Sequence, residues 1–319
     1  MNKVVLVTIT NFSKYCRNAK LLLEKEGFEV RENTLGRPMT FDDLKDTVGD
    51  VGGVIAGVEI WNEELFNLAK ELKIIARFGV GYDSVDLSVA KKHGVKVTNA
   101  KGENADSVAE MAVTFMLVLS KKTTGLDAST RRGEWERFVG YTLRGKKIGL
   151  IGFGAIGQYV AKLLAAFETE IYACDICPNK EVAGKYGVTF TDTNWIVKNC
   201  DIISVHVPHT PETEKMINAG NLGQMKKSAI LINTARGPIV DEEALYVALK
   251  SGKIAGAGLD VYEKEPARAT NPLFGLDNVV TTPHTAAETH ETYEKVSLAN
   301  AEAILDTFAG RAPKNWLNP

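Results

Sequence analysis

The sequence predicts an α/β protein with two doubly wound domains, the second inserted into the first. Short apolar strands alternate with helical segments along most of the chain, which is typical of parallel sheets covered by helices. A long helical segment and then a glycine-rich turn, GFGAIG, separate two such series. The 319 residues, 45% of them hydrophobic, are enough for two packed cores.

The first series covers the N-terminal third of the chain. Its β-rich runs VVLVTIT, EVREN, GVIAG, IIARFG and VKVTNA alternate with the helical patterns AKLLLEKEG, EELFNLAKELK and LSVAKKHG. This alternation predicts βαβ units and a parallel sheet. A last helix, from about Ala287 to Phe308, is expected to return to this domain. The first domain is therefore predicted as residues 1–100 plus 287–319, and the inserted domain as residues 101–286.

The inserted domain is predicted to begin with one long helix, NADSVAEMAVTFMLVLSKKTTG. It has acids early, lysines late and a glycine at its end, as helix termini favour. Six candidate strands follow it: KIGLIG, EIYACD, DIISVHV, AILINTA, GAGLDV and VVTTPH. Their near-continuous apolar character suits strands that are covered on both faces.

Composition argues against several classes of function. The 38 basic and 40 acidic residues give a net charge of -2, and no Lys/Arg block suggests a nucleic acid or membrane partner. The longest apolar run, MAVTFMLVL, is much shorter than the roughly 20 residues that cross a bilayer. The N-terminus lacks a typical signal segment, so we expect a cytoplasmic protein. The balanced charge makes a small molecule the expected ligand.

Four cysteines do not predict a disulfide framework in a chain of this size. Cys174 and Cys177 form a C-x-x-C pair, but no second pair completes a structural zinc site, so we expect no metal. A thioredoxin-like redox role is disfavoured because Cys174 is expected inside a strand.

The turn GFGAIG has the spacing of a dinucleotide-binding loop. Gly152 suits the tight turn, Gly154 lets the backbone approach a pyrophosphate, and Gly157 lets the helix pack closely on the strand. Asp175 ends the next strand about 20 residues later, where an acid accepts hydrogen bonds from a ribose diol and repels a 2′-phosphate. This predicts NAD rather than NADP; the alternative is another adenosine ligand such as S-adenosylmethionine.

Three successive strands of the second series are each followed by a residue suited to acid–base chemistry. Arg236, Glu265 and His284 taken singly could be a turn residue, a solvated acid and a structural histidine. Together, at the edge where doubly wound sheets bind ligands, they are the set that a 2-hydroxy-acid dehydrogenase requires. The arginine can hold a substrate carboxylate, the histidine can exchange a proton, and the glutamate can orient the imidazole and favour its protonated form.

With these motifs the chain resembles the D-isomer-specific 2-hydroxyacid dehydrogenases along essentially its whole length. The resemblance rests on ARFGVGYDSVDL, NADSVAE, GEWER, LRGKKIGLIGFGAIG, HVPHTPET, NTARGPIVDEEAL, GLDVYEKEP and TPHTAAET. It implies a flavodoxin-like substrate domain with an inserted Rossmann NAD-binding domain, and a catalytic set at Arg236, Glu265 and His284. It also implies a homodimer formed through the NAD domain, involving the helix around Met111 to Leu119.

The resemblance further implies where ligands bind. Backbone N–H groups around Val80 and Gly81 are expected to bind the substrate carboxylate, together with Arg236 and His284, and Asp260 is expected near the nicotinamide carboxamide. The predicted cofactor contacts are Gly152, Gly154, Ala155, Ile156, Gly157, Asp175, His206, Val207, Pro208, Thr213, Thr234, Ala235, Asp260 and Ala286.

The substrate is less clearly indicated. The leading candidate is D-3-phosphoglycerate, which is the substrate of a serine-biosynthesis enzyme. The alternative is hydroxypyruvate, glyoxylate or another 2-oxo acid. Members of the family that grip a phosphate often carry an arginine where this chain has Ala56 and Gly57, so Arg77 or Arg137 would have to supply the charge. The sequence ends at Pro319, so we expect no feedback control through an added C-terminal domain.

The sequence is also compatible with two other classes of function. An NAD-binding corepressor-like protein would keep the same fold, and steady turnover would distinguish an enzyme from it. A methyltransferase is a third reading, although its chemistry does not call for the Arg-Glu-His set.

Overall fold

The structure is a computed structural model that describes residues 2–319. It divides into two compact units, the chain up to Asn104 with Glu288–Pro319, and Ala105–Ala287. Each unit is built on a parallel sheet with helices packed against it. The predicted α/β class with two doubly wound domains is therefore confirmed.

The first unit contains a five-stranded sheet within the described residues, in the order β2-β1-β3-β4-β5. This is the flavodoxin-like strand order. The strands are β1 (Val4–Val7), β2 (Glu29–Glu32), β3 (Gly53–Ala56), β4 (Ile74–Arg77) and β5 (Lys96–Thr98), and the helices are α1 (Phe12–Tyr15), α2 (Arg17–Lys25), α3 (Phe41–Lys45), α4 (Glu63–Leu68) and α5 (Leu87–Lys92), joined later by α13 (His290–Phe308).

Strand β1 shows why the apolar runs of this unit fold as buried strands. Val4 and Leu6 pack into the core on one face of the sheet, while Val5 and Val7 pack into the core on the other. A continuous apolar run suits this position, because successive side chains point to opposite faces. Helix α13 begins three residues later than predicted, after Thr289, whose hydroxyl caps it.

The second unit contains, within residues 2–319, a seven-stranded sheet in the order β12-β11-β10-β9-β6-β7-β8. The strands are β6 (Lys147–Ile151), β7 (Glu170–Cys174), β8 (Val188–Phe190), β9 (Ile202–Val205), β10 (Ile230–Asn233), β11 (Gly256–Leu259) and β12 (Val279–Thr281). The helices are α6 (Ala105–Lys121), α7 (Thr123–Arg131), α8 (Ala155–Leu164), α9 (Lys180–Tyr186), α10 (Thr193–Asn199), α11 (Ala219–Gln224) and α12 (Glu242–Lys250).

The strand order of the second unit is that of a Rossmann sheet. Strand β6 lies between β7 and β9, and all of these strands are parallel. Strands β7 and β8 extend the sheet on one side of β6, whereas β9 and the later strands extend it on the other side, so the strand order reverses between β6 and β9. Ligands of such sheets bind outside the carboxyl ends of the strands at this reversal. Consecutive residues of β10 again alternate between two cores, with Leu231 on one face and Ile230 and Ile232 on the other.

Two predictions for the second unit were wrong in detail. The sheet has a strand, β8, that was not predicted, because it is a three-residue, partly exposed edge strand without a clear apolar run. The predicted long helix is two helices, separated at Lys122, whose backbone is left-handed at φ 56°. Gly125, predicted as a terminator, lies inside α7.

Among the described residues, no helix is both long and apolar enough to span a bilayer.

Candidate active site

The glycine loop between β6 and α8 depends on the absence of side chains. Gly152 has φ +99°, and a Cβ there would lie 2.6 Å from the carbonyl oxygen of His206. A Cβ on Gly157 would lie 2.4 Å from the carbonyl oxygen of Gly152. Helix α8 starts at Ala155 directly after Gly154, which has no side chain to cap the first N–H groups. These N–H groups and the positive end of the helix dipole suit a pyrophosphate.

Asp175 joins this loop at the end of the neighbouring strand. Its Oδ2 accepts a hydrogen bond from the N–H of Phe153 at 2.6 Å, and its Oδ1 accepts one from the N–H of Cys177 at 2.7 Å. Each carboxylate oxygen has a further lone pair, which can accept a hydrogen bond from a ribose hydroxyl. The loop and the acid therefore fit the dinucleotide that the sequence predicts.

The segment after β9 faces the glycine loop. His206 extends the β6–β9 pairing, since its N–H donates to the carbonyl of Ile151 at 2.7 Å. Both ring nitrogens are buried, and within residues 2–319 neither has a hydrogen-bond partner. Although part of the residue is exposed, burial of the ring lowers the pKa of His206 to about 4, so the imidazole is neutral near pH 7.

The next turn is shaped by Thr213, whose hydroxyl donates to the carbonyl of Pro208 at 2.7 Å. The same hydroxyl accepts a hydrogen bond from the N–H of Thr210 at 2.8 Å. Val207 lies against Gly152, with its Cγ1 3.0 Å from the position that a Cβ would occupy there. Of the predicted contacts of this segment, His206 and Val207 thus lie beside the glycine loop.

Arg236 lies in the loop after β10, together with the predicted cofactor contacts Thr234 and Ala235. Both of those residues are buried, and the guanidinium Nη1 of Arg236 donates to the carbonyl of Ala235 at 2.7 Å. The loop then enters a short 3₁₀ helix at Gly237. A Cβ on Gly237 would lie 1.9 Å from the carbonyl of Tyr262, so only glycine allows the loops after β10 and β11 to touch.

Glu265 and His284 form a hydrogen-bonded pair in the loops after β11 and β12. The Nδ1 of His284 is 2.7 Å from Oε2 of Glu265. The other carboxylate oxygen accepts a hydrogen bond from the N–H of Tyr262 at 3.0 Å. Both side chains are partly exposed, at 49% for the histidine and 35% for the glutamate. With Nδ1 engaged, Nε2 is the ring nitrogen that can exchange a proton with a ligand.

The ionisation of Glu265 reflects these neighbours. Partial burial by itself raises the pKa of this carboxyl, but the hydrogen bond and charge of His284, the N–H of Tyr262 and the charge of Arg236 together lower it below its ordinary value. Arg236 is therefore close enough to influence the pair electrostatically. The glutamate is a carboxylate throughout the neutral range.

Asp260 holds the backbone around His284. Its two carboxylate oxygens accept hydrogen bonds from the N–H groups of Thr285 and Ala286, at 2.8 and 2.9 Å. Its backbone carbonyl accepts one from the N–H of His284 at 2.8 Å, and the histidine has a left-handed backbone at φ 56°. Ala286 is also fixed from the other side, because the hydroxyl of Ser107 donates to its carbonyl at 2.7 Å.

Two residues that the sequence analysis did not single out support these loops. Asn233, at the end of β10, holds the loop that carries Arg236. Tyr262 donates its hydroxyl to the carbonyl of Thr282 at 2.9 Å. An asparagine at a strand end is typical of turns in which its side chain bonds nearby backbone, and that signal could have identified the first of them.

The first unit presents the predicted carboxylate-binding loop after β4. The side chain of Asn99 donates to the carbonyl of Val80 at 2.7 Å, and the N–H of Ala100 donates to the carbonyl of Gly79 at 2.9 Å. In a trans peptide the C=O and N–H groups point in opposite directions. The N–H groups of Val80 and Gly81 therefore point away from Asn99 and Ala100.

The cysteines form no comparable site. All four are free, and within residues 2–319 no group of three or more His, Cys, Asp or Glu side chains could hold a metal ion. Cys174 is the last residue of β7, as predicted to lie inside a strand, and burial raises the pKa of its thiol. Cys177 is exposed.

The chain is similar to a known protein family and to several known proteins. Residues 113–286 match the model of the NAD binding domain of D-isomer specific 2-hydroxyacid dehydrogenases. The D-3-phosphoglycerate dehydrogenase of Archaeoglobus fulgidus is 46% identical over 299 residues, which are 93% of this chain and 56% of that protein. This chain therefore spans just over half the length of that relative.

Two further proteins match along most of both chains. The glyoxylate reductase of Thermococcus litoralis is 41% identical over 266 residues, which are 81% of this chain and 80% of that protein. The crystal structure of the TT0316 protein from Thermus thermophilus superposes with a TM-score of 0.90 at 34% identity, covering 98% of this chain and 99% of that one. The chain belongs to the D-isomer specific 2-hydroxyacid dehydrogenase family, and its second unit carries the NAD-binding domain of that family.

Proposed function

We propose that the protein is an NAD-dependent oxidoreductase that interconverts a D-2-hydroxy acid and its 2-oxo acid. The observation that carries the proposal is the His284–Glu265 pair, 2.7 Å apart, with Arg236 close enough to influence it. A proton carrier beside a guanidinium suits the reduction of a 2-oxo acid, which needs a proton at the carbonyl oxygen and an anchor for the carboxylate.

Each of the three residues has a separate part in the proposed reaction. When bound, NADH supplies the hydride to the carbonyl carbon. Nε2 of His284 gives its proton to the carbonyl oxygen, while Glu265 orients the ring through Nδ1. Arg236 binds the carboxylate and polarises the carbonyl. In the first unit, the N–H groups of Val80 and Gly81 are proposed to bind an anionic group as well.

The leading candidate substrate is D-3-phosphoglycerate, because the relative with 46% identity is named a D-3-phosphoglycerate dehydrogenase. A second candidate is a small 2-oxo acid such as glyoxylate or hydroxypyruvate. Buried Glu59 favours it, since its Oε1 accepts hydrogen bonds from the hydroxyl of Thr8 and from the N–H of Gly57 at 3.0 Å. Beside Ala56 and Gly57, where family members that grip a phosphate often carry an arginine, this chain thus buries a carboxyl group, which offers no positive charge to a phosphate.

The direct test is a comparison of kcat/KM for NADH oxidation with 3-phosphohydroxypyruvate, hydroxypyruvate, glyoxylate and pyruvate. A strong preference for the phosphorylated substrate would support phosphoglycerate oxidation as the function. Preference for the unphosphorylated acids would support a 2-oxo-acid reductase. No turnover with any of the four would contradict the proposed enzyme and support an NAD-binding protein similar to a corepressor.

We also propose a homodimer formed through the second unit. Between α7 and β6 the chain exposes a run of large apolar side chains, with Trp135 at 78% and Val139 at 86%, and Phe138 and Tyr141 beside them. Such a patch is typical of a protein interface. The mass of the protein in solution, measured by light scattering, should be that of a dimer, and Trp135→Ser with Val139→Ser should shift it toward the monomer. A cytoplasmic location stays a prediction.

A further inference from the structure

We propose that Asn233 is the positioning residue that sets the orientation of Arg236. This inference rests on the proposed function, because it assigns Arg236 to the substrate carboxylate. Asn233 ends β10 and is 1% exposed, so its amide group is removed from water and needs hydrogen-bond partners inside the protein. Both of its partners lie in the loop that carries the arginine.

The side-chain amide of Asn233 holds this loop at two points. Its Oδ1 accepts a hydrogen bond from the N–H of Ala235 at 3.0 Å. Its Nδ2 donates to the carbonyl of Arg236 at 2.9 Å. The two peptide units held in this way are separated by one other, the unit that joins Ala235 to Arg236. That intervening unit is therefore fixed at both of its ends.

The carbonyl of the intervening unit is the one that receives the guanidinium. Nη1 of Arg236 donates to the Ala235 carbonyl at 2.7 Å. Rotation of that peptide would move its carbonyl and with it the head of the arginine. Asn233 therefore acts on the guanidinium through two backbone contacts and does not need to touch the substrate.

The same residue connects the arginine loop to the rest of the proposed site. The backbone carbonyl of Asn233 accepts a hydrogen bond from the N–H of Asp260 at 3.0 Å, and the carbonyl of Asp260 accepts one from the N–H of His284 at 2.8 Å. These bonds continue the sheet pairing one step beyond the strands. Contact of Gly237 with the Tyr262 backbone confines the loop from the other side.

Among the side chains of similar size, asparagine alone suits this position at neutral pH. The site needs one acceptor and one donor on the same short side chain, and an amide supplies both. An aspartate keeps the acceptor but turns a second negatively charged oxygen toward the Arg236 carbonyl. A serine is too short to reach both groups.

The test is Asn233→Asp, which changes the amide to a carboxyl of the same shape. We expect kcat/KM for the best 2-oxo acid to fall by about 10- to 100-fold at about pH 8, chiefly through a higher KM, as for a misplaced binding group. Near pH 6 the ratio of variant to wild-type kcat/KM should recover in part. Burial raises a carboxyl pKa, and the protonated form can donate to the Arg236 carbonyl again.

Further measurements separate positioning from general damage to the fold. The dissociation constant for NADH should stay near wild type, and the melting temperature of Asn233→Asp should fall, because a carboxylate is buried, but the variant should remain folded at the assay temperature. Asn233→Ser should lower kcat/KM without the recovery at low pH. In an Arg236→Lys background, Asn233→Asp should have much less than its full effect, because the residues act as one unit. Asn199→Asp is the matched control. In the wild type, Nδ2 of Asn199 donates to the carbonyl of Trp195 at 2.9 Å, and the kcat/KM of this variant should be unchanged.

The outcomes are distinct. An unchanged KM in Asn233→Asp, full additivity with Arg236→Lys, or equal loss of NADH affinity would overturn the role of Asn233 while the proposed function stood. If Asn233→Asp does not fold, the same readouts on Asn233→Ser decide, with a KM effect that disappears in the Arg236→Lys background supporting the role. Lack of turnover by the wild-type protein would overturn the proposed function and this inference with it.

Discussion

The glycine loop after β6 and the loops after β10, β11 and β12 lie at the same edge of one sheet, and apart from the close approach at Gly237 they are shaped by different means. In the first, close approach is possible because side chains are missing, as a Cβ on Gly152 or Gly157 would lie under 3 Å from a carbonyl oxygen. In the second, buried polar side chains such as Asn233 and Asp260 hold the backbone through hydrogen bonds. Substitutions should therefore damage the two regions in different ways.

The difference shows which parts of a site depend only on nearby backbone and which depend on contacts between several loops. The glycine loop depends on its own backbone and on the segments after two neighbouring strands, β7 and β9, so we expect substitutions in it to affect cofactor binding and stability. The loops after β10, β11 and β12 depend on one another, because Asp260 forms hydrogen bonds with Asn233 on one side and with the segment that follows His284 on the other. A substitution in one of these loops should therefore lower turnover while cofactor binding persists.

The substitution with the largest expected effect is His284→Ala. We expect kcat to fall by about 10²- to 10⁴-fold, since the proposed proton carrier is lost. The dissociation constant for NADH should remain within a few-fold of wild type, because the glycine loop is intact. Steady-state NADH oxidation and fluorescence titration with NADH measure the two effects. His93→Ala, in the first unit, serves as the control; turnover by His284→Ala close to that of this control would contradict the assignment.

The converse substitution is Gly157→Ala. A Cβ there would lie 2.4 Å from the carbonyl oxygen of Gly152, so we expect strain of about 1–3 kcal/mol, weaker NADH binding and a lower melting temperature. At saturating NADH, kcat should recover most of its wild-type value.

Gly184→Ala is the matched control for that variant. It lies in α9 where a Cβ would meet no atom within 4 Å, so helix propensity should raise stability by about 0.5–1 kcal/mol. If both alanine variants behaved alike, the glycine loop would not depend on close approach.

Glu265→Gln tests the pair through its pH dependence. The pKa of Glu265 is lowered in the folded protein, so its contribution to stability is present above the ordinary carboxyl range and is lost as pH falls through the folded-state value. The wild type should therefore lose more unfolding free energy than the variant between about pH 5 and pH 3. Denaturant unfolding at several pH values measures this, and parallel curves would argue against a stabilised carboxylate. Turnover should fall, but less than in His284→Ala.

The smallest expected effect is a change of cofactor preference in Asp175→Asn. The amide keeps an acceptor for one N–H of the loop and removes the charge that repels a 2′-phosphate. We expect the ratio of kcat/KM for NADPH to that for NADH to rise by about tenfold, as removal of a like-charge contact predicts. Asp277→Asn, an exposed position in the same unit, should leave the ratio unchanged, and a similar ratio in both variants would remove Asp175 from cofactor selection.

The same contrast explains what the sequence could predict. The α/β class, the positions of most strands along the chain and the spacing of the glycine loop follow from local patterns such as apolar runs and G-x-G-x-x-G. Edge strand β8 and the break at Lys122 do not, because a three-residue partly exposed strand and one left-handed residue leave almost no local signal. The distances among Arg236, Glu265 and His284, and the support from Asn233 and Tyr262, depend on contacts between distant segments, which only the folded chain brings about.

The division of the chain has a consequence for its synthesis. The second unit is one continuous segment, complete once Ala287 has left the ribosome. The first unit then still lacks α13, whose Ala301 and Ile304 share a core with Val5 and Val7. About 20 more residues, or about one to four seconds of translation, separate the two events. The part of this sheet face that α13 covers is exposed during that interval, although α2 already packs in the same core, and nascent chains are expected to be most prone to aggregation or chaperone binding there.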